Sequence, residues 1–322
     1  MPEALLDEAE CLEVAVALAR QAGDVIRDAL VKASWCSSDA CARSYDLKRE
    51  NDHVTEVDVA CERIILDGLR ARYPSHRFIG EESTGLAEVP ALTDEPTWMV
   101  DPLDGTTNFV HGFGHCAVSI GLCVFKTPVV GVVCDAMRQE IFTARRGRGL
   151  FMDNRRVRAS PEQTLAQSIM SIEWPSSGAD RRARRGNSTS SSGVDGGSDD
   201  SSATARQLAL LGRLLDTPHS LSALRGTGSC VLDLAWVACG RLNLTYRGHV
   251  GCKCWDVCAG ALLVAEGGGV LSGPTGADVF DLMSGRFVAA GSPTLLREFQ
   301  GCLAGAESTS DELGDCKPNS RL

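Results

Sequence analysis

The stretch Trp98-Met99-Val100-Asp101-Pro102-Leu103-Asp104-Gly105-Thr106-Thr107-Asn108-Phe109 begins as an apolar strand and ends in two carboxylates, a glycine and two hydroxyls. Pro102 holds φ near −65° and has no N–H for a ladder, so the strand is expected to stop there. Asp101 and Asp104 then turn toward one point, and the Leu103 carbonyl is freed as a further oxygen ligand. Hard oxygen donors of this kind select Mg²⁺. Gly105 and Thr106 open a short helix whose first N–H groups suit a phosphate oxygen. Taken alone, the two acids and glycine are equally a capping turn.

Working outward, Phe78-Ile79-Gly80-Glu81-Glu82-Ser83 places two acids directly after a second apolar strand end, and Cys254-Trp255-Asp256 precedes a helix of small residues closed by Glu266-Gly267-Gly268-Gly269. Asp256 by itself reads as an N-cap. Four acids at element ends are harder to read as caps, because buried like charges repel unless a cation joins them. Apolar spacing predicts helices over residues 3–31 and 56–72, the second stopped by Tyr73-Pro74, with a polar, unperiodic stretch at 34–50 between them. From 117 to 151, β-rich runs at 118–125, 129–134, 140–143 and 149–152 alternate with short polar turns, as antiparallel hairpins do. Beyond Pro161 the pattern alternates: strand 169–173, helix 204–215, a strand near Leu221, helix 229–239, strand 242–246, helix 256–266 and strand 270–271. Two lobes are expected, 1–160 and 161–305, followed by a flexible tail at 306–322. The second lobe carries a disordered insertion at 176–205, whose Gly186–Ala205 portion is eleven parts Ser or Gly in twenty.

Charge and composition narrow the function. Forty-two acids against 32 Lys and Arg leave a net charge of −10, and the basic residues are scattered or confined to the low-complexity stretch. No basic face is expected to bind nucleic acid. An anionic substrate would need a cation at the site. The longest apolar run, Cys116 to Phe125, is about half of a membrane span, so no membrane partner is expected. The start MPEALLDEAE lacks a basic n-region and an apolar h-region, and the fourteen cysteines are read as reduced thiols of a cytoplasmic protein. Cys252/Cys254 and Cys36/Cys41 lack a second pair at zinc-site spacing, and no zinc is assigned.

Four ordered motifs carry a family resemblance: Asp52-His53-Val54-Thr55-Glu56-Val57-Asp58, Gly80-Glu81-Glu82-Ser83, Asp101 to Phe109 with His111, and Trp255-Asp256 with its Glu266-Gly267-Gly268 tail. Over roughly residues 10 to 300 the chain resembles the inositol monophosphatase family. The resemblance implies an α+β or α/β fold, a five-layered αβαβα sandwich, in a homodimer. It implies lithium-sensitive hydrolysis of a small phosphorylated polyol with two or three Mg²⁺ per active site. By motif position, Glu81, Asp101 and the Leu103 carbonyl would hold one metal, and Asp101, Asp104 and Asp256 a second. Thr106, Asp58 and Glu81 would assist the attacking water. Leu103, Asp104, Gly105, Thr106, Gly228, Ser229, Cys230, His249 and Asp256 would contact substrate. Asp58 alternatively serves only as an exposed acid of a first helical turn.

Two departures stand out. Gly114 replaces a proline usual in the family. His249 stands where the family commonly has a glutamate that accepts from the inositol hydroxyls, which implies weaker discrimination for inositol; a shifted glycine-rich loop would instead leave the pocket unchanged. Superfamily phosphatases of a nucleotide 3′-phosphate, fructose 1,6-bisphosphate or histidinol phosphate form the alternative, and a catalytically silent RNA- or protein-binding scaffold a further one.

Overall fold

The computed structural model describes residues 6–35, 46–49, 52–161, 163–174, 199–216, 220–249 and 251–313. Its central strands are apolar on both faces, and their two-residue alternation sorts large from small side chains. Strands β4 (Thr97–Asp104), β5 (Ala117–Val124) and β6 (Thr127–Asp135) turn Trp98, Val100, Val118, Ile120, Leu122, Val130 and Val132 toward one core. That core is closed by helices α1 (Glu8–Trp35) and α2 (Glu56–Arg72). The opposite face carries Met99, Ala117, Ser119, Gly121 and Gly131 and meets α6 (Cys230–Ala238) and α7 (Cys254–Glu266). Gly121 and Gly131 lie opposite each other in the ladder. A Cβ on Gly121 would come within 2.5 Å of the Cys258 sulfur, and one on Gly131 within 2.9 Å of the Ala259 carbonyl, so only glycine lets α7 seat on the sheet.

The sheet has seven strands in the order β3 (Arg77–Gly80), β4, β5, β6, β7 (Glu140–Arg145), β8 (Gly149–Met152) and β9 (Arg155–Val157). β3 and β4 are parallel and the rest antiparallel, as the hairpin spacing predicts. Two short strands, β1 (Asp46–Arg49) and β2 (Asp52–Val54), pair inside and beside the stretch read as unperiodic. Beyond α6 and α7 lies a second sheet, ordered β11 (Ala223–Arg225), β10 (Ile169–Ile172), β12 (Leu244–Tyr246), β14 (Val288–Ala290) and β13 (Val270–Ser272). Helices α5 (Asp199–Leu215) and α8 (Pro293–Leu313) cover its outer face through Leu210, Leu214, Leu295 and Phe299. The succession α1/α2, sheet, α6/α7, sheet, α5/α8 is the five-layered αβαβα sandwich.

Several boundaries differ from expectation, beginning with α1, which runs Glu8–Trp35 where a helix over 3–31 is expected. Helix α5 begins at Asp199, inside the stretch read as a disordered insertion; residues 176–198 lie outside the described residues. Helix α8 runs to Leu313, through the first part of the expected tail, and residues 314–322 lie outside the described residues. Pro102 does not end β4. The ladder pairs Asp101 with Ser119, skips, and resumes with Asp104 opposite Ala117, so the proline sits in a bulge.

Candidate active site

The bulge sets the geometry. One residue too many on β4 between Asp101 and Asp104 rotates the chain there, and the Asp101 carboxylate accepts the Leu103 N–H at 3.0 Å. β3 ends beside β4, with Gly80 opposite Val100, which delivers Glu81, the first residue of the four-residue helix α3 (Glu81–Thr84), to the same edge. Glu62, buried on α2, accepts the N–H groups of Glu82 and Ser83 at 2.6 and 2.8 Å and clamps the turn that carries Glu81. Across the site, α7 begins at Cys254, two residues earlier than expected. Asp256 is therefore in its first turn rather than at the N-cap, and it accepts Lys253 N–H at 2.7 Å.

Glu81, Asp101 and Asp256 each present a carboxylate oxygen within 4.8 Å of the others. Asp101 is fully buried, and its pKa is raised well above the carboxylate range by burial and by the negative charges of Glu81, Asp256 and Asp104. Asp104 is raised by burial and by Asp256, although the Ser229 hydroxyl and the Val231 N–H (2.9 Å) both donate to it. Asp256 is raised by burial too. Carboxylates gathered around one buried acid in this way suit a bound divalent cation, and their all-oxygen donor set fits a hard one.

Asp58 and Thr106 adjoin the cluster. Asp58 is not an exposed helix acid: it is 1% exposed, and one oxygen accepts the Thr55 N–H at 2.9 Å and the Thr55 hydroxyl in a capping box. Its other oxygen lies 3.2 Å from the Thr106 hydroxyl, which is 3.1 Å from the Leu103 carbonyl. Burial raises the Asp58 pKa. Gly105 opens the five-residue helix α4 (Thr106–Val110) at φ 85°, and a Cβ there would stand 2.8 Å from the His115 carbonyl. Asn108 joins this turn to the loop before α6 by donating to Thr227 O, and it also donates to His115 O, both at 2.8 Å.

The loop before α6 is held by a network with no forewarning in the sequence. Arg247, 3% exposed, lies 2.5 Å from Asp233 and 3.8 Å from Glu173. Asp233 accepts the Thr227 hydroxyl at 2.8 Å, and Glu173 accepts the Gly228 N–H at 3.1 Å. Ser229 caps α6 and reaches Asp104, whereas the Cys230 thiol turns to Cys252. The Arg247 charge offsets a small part of the rise in pKa at Asp104 and Asp256. The imidazole of His249, two residues on, stands edge-on to the Tyr246 ring, 5.2 Å away. Burial, with repulsion from Arg206 and Arg286, lowers its pKa to about 4. Such a group takes up its proton first in the unfolded chain, so its stabilising contribution is whole above about pH 6.5 and is lost as pH falls toward about 4. Urea unfolding at pH 7 and pH 5 should therefore show a larger loss of stability for the wild type than for His249→Phe. Equal losses would mean that His249 does not carry the effect.

Fold and site together define a layered αβαβα protein with a carboxylate cluster, built around the buried Asp101, that suits a hard divalent cation. The profile of the inositol monophosphatase family matches residues 7–309. Inositol monophosphatase 2 of Solanum lycopersicum is 41% identical over 281 residues, covering 87% of this chain and 93% of its own. For inositol monophosphatase 1 of Sus scrofa the identity is 38% over 289 residues, covering 89% and 91%. The solved inositol monophosphatase of Anabaena (Nostoc) sp. PCC 7120 superposes with a TM-score of 0.69 at 27% identity, over 93% of this chain and 97% of that one. Extragenic suppressor protein suhB of Bartonella henselae gives 0.70 at 26%, over 91% and 98%. The chain belongs to the inositol monophosphatase family. Among the described residues, no helix is long and apolar enough to cross a membrane.

Proposed function

We propose that this chain hydrolyses myo-inositol monophosphate to myo-inositol and phosphate with Mg²⁺. The observation that carries the proposal is the convergence of Glu81, Asp101 and Asp256 within 4.8 Å, with Asp104 following Asp101 across the same strand bulge. Glu81, Asp101 and Leu103 would hold one ion and Asp101, Asp104 and Asp256 another. When bound, Mg²⁺ neutralises phosphate charge and acidifies water.

The chain's own residues do the rest. The Thr106 hydroxyl has one proton and two acceptors near it, Asp58 and Leu103 O. With that proton directed at Asp58, its lone pairs accept from the attacking water and fix the water's line of approach. Asp58, its pKa raised by burial, is suited to take up a proton relayed through Thr106. Gly105 and Thr106 offer N–H groups to a phosphate oxygen, and the Gly228–Cys230 turn, fixed by Ser229 on Asp104, faces the substrate. Thr106→Ala is expected to lower kcat by about 10²–10³-fold with little change in KM, and Thr106→Ser to recover most of it. A loss smaller than about tenfold would remove Thr106 from the proton path.

The decisive measurement is phosphate release from a panel of inositol, glycerol, sugar and nucleotide monophosphates, fructose 1,6-bisphosphate and histidinol phosphate, each with and without Mg²⁺. Inositol 1-phosphate should lead. Preference for another member selects another substrate class, and no Mg²⁺-dependent release from any of them overturns the reading. Inhibition by Li⁺, a homodimer and residence in the reducing cytoplasm complete the proposal. The last is supported by buried free thiols such as Cys61, Cys116 and Cys258.

A further inference from the structure

The fold brings together two thiols that the spacing of cysteines in the chain does not pair. Cys230 is the first residue of α6, and its sulfur lies 3.3 Å from that of Cys252, in the segment leading into α7. The Cys252 backbone N–H donates to Gly285 O at 3.0 Å, and its thiol lies 3.3 Å from the same oxygen, so this partner is anchored. Cys252 is half-buried and Cys230 buried, and both are free. A second close pair, Cys123 and Cys258 at 3.5 Å, is sealed between β5 and α7 at 0% exposure.

We infer that Cys230 and Cys252 close a reversible disulfide under an oxidant of the peroxide class, and that closure displaces the turn holding Asp104. The more accessible Cys252 thiol attacks one peroxide oxygen, giving a sulfenic acid and releasing water. The Cys230 thiol then attacks that sulfur, a second water leaves, and the S–S bond forms. Two electrons and two protons pass from the thiols to hydrogen peroxide, and a dithiol returns them by exchange. A disulfide of about 2.05 Å requires the sulfurs to approach by roughly 1.3 Å. With Cys252 anchored, the movement falls on the first turn of α6, where the flanking residues Ser229 and Val231 both donate to Asp104.

A misplacement of about 1 Å near reacting groups costs on the order of 10²-fold, so the oxidised enzyme should lose at least about tenfold in kcat/KM. That loss rests on the phosphatase reading; the bond does not. The test treats the purified protein with hydrogen peroxide, blocks remaining thiols with an alkylating agent and maps non-reduced peptides by mass spectrometry. A peptide pair joined through Cys230 and Cys252 is expected, with the fall in inositol 1-phosphate hydrolysis reversed by dithiothreitol. Cys252→Ser should form no such pair and keep its activity through the same treatment. Absence of the joined peptides overturns the disulfide. Its formation with unchanged activity, or equal inactivation of Cys252→Ser, overturns the displacement of Asp104. Should the reduced protein release no phosphate from any substrate, the phosphatase reading fails, while the peptide map still decides the bond.

Discussion

Asp101→Asn is expected to lower kcat/KM by at least about 10³-fold in saturating Mg²⁺, equivalent to roughly 4 kcal/mol, while leaving the protein folded. Asparagine keeps an oxygen for the Leu103 N–H, so the β4 bulge should persist. What is lost is the charge at the point where Glu81 and Asp256 converge. The sign of the stability change separates this from a folding defect. Burial and three neighbouring acids raise the Asp101 pKa, so at neutral pH without metal its ionisation opposes folding, and the opposition fades as pH falls through the raised value. Metal-free Asp101→Asn should therefore melt at or above the wild type at pH 7, whereas the rise in melting temperature that Mg²⁺ gives the wild type should be largely absent. Calorimetry with and without Mg²⁺, beside steady-state kinetics, reads both. Substantial activity in Asp101→Asn would sink the metal-site assignment, and a metal-free variant far less stable than the wild type would show that Asp101 acts mainly in folding.

The largest expected stability effect lies in a group of no catalytic chemistry. Arg247→Met should cost about 3–5 kcal/mol, or roughly 4–7 °C in melting temperature, because it strands the Asp233 carboxylate in a site with almost no access to water. Arg247 and Asp233 are 3% and 0% exposed and 2.5 Å apart, and Glu173, partly exposed, can be rehydrated when its partner goes. The double variant Arg247→Met/Asp233→Leu removes the stranded charge and should recover at least about 1 kcal/mol of that loss. Denaturant unfolding of the wild type, both single variants and the double variant measures the coupling. Additive losses would mean that the pair does not interact as its geometry indicates. Because Asp233 and Glu173 hold Thr227 and Gly228, the single variant should also raise KM.

Much of the fold could be read from local pattern. Helix α2 spans the predicted residues, since its apolar stripe, its Thr55 cap and Tyr73-Pro74 all lie within one stretch. The hairpins from 117 to 152 were legible for the same reason. β14 and α8 were not, because Val288–Ala290 is a strand only by pairing with β12 and β13, and α8 is positioned by packing under that sheet. The start of α5 was hidden because a Ser- and Asp-rich opening turn has the composition of a linker.

The same division runs through the site. Asp101, Leu103, Asp104, Gly105 and Thr106 are consecutive or nearly so, and a proline-bulged strand end running into a glycine turn constrains their directions locally, so the sequence by itself determined that acids and hydroxyls would share one edge. Glu81 followed from an equally local strand end. Which distant side chains complete the site was decided only by tertiary packing. Gly121 and Gly131 let α7 approach the sheet and bring Asp256 to Asp101. Glu62, Arg247, Asp233 and Cys252 have no mark in their neighbours that distinguishes them from ordinary helix and loop residues. Their partners lie on other elements, and a buried charge or thiol acquires its role from whatever the folded chain places within a few ångströms of it.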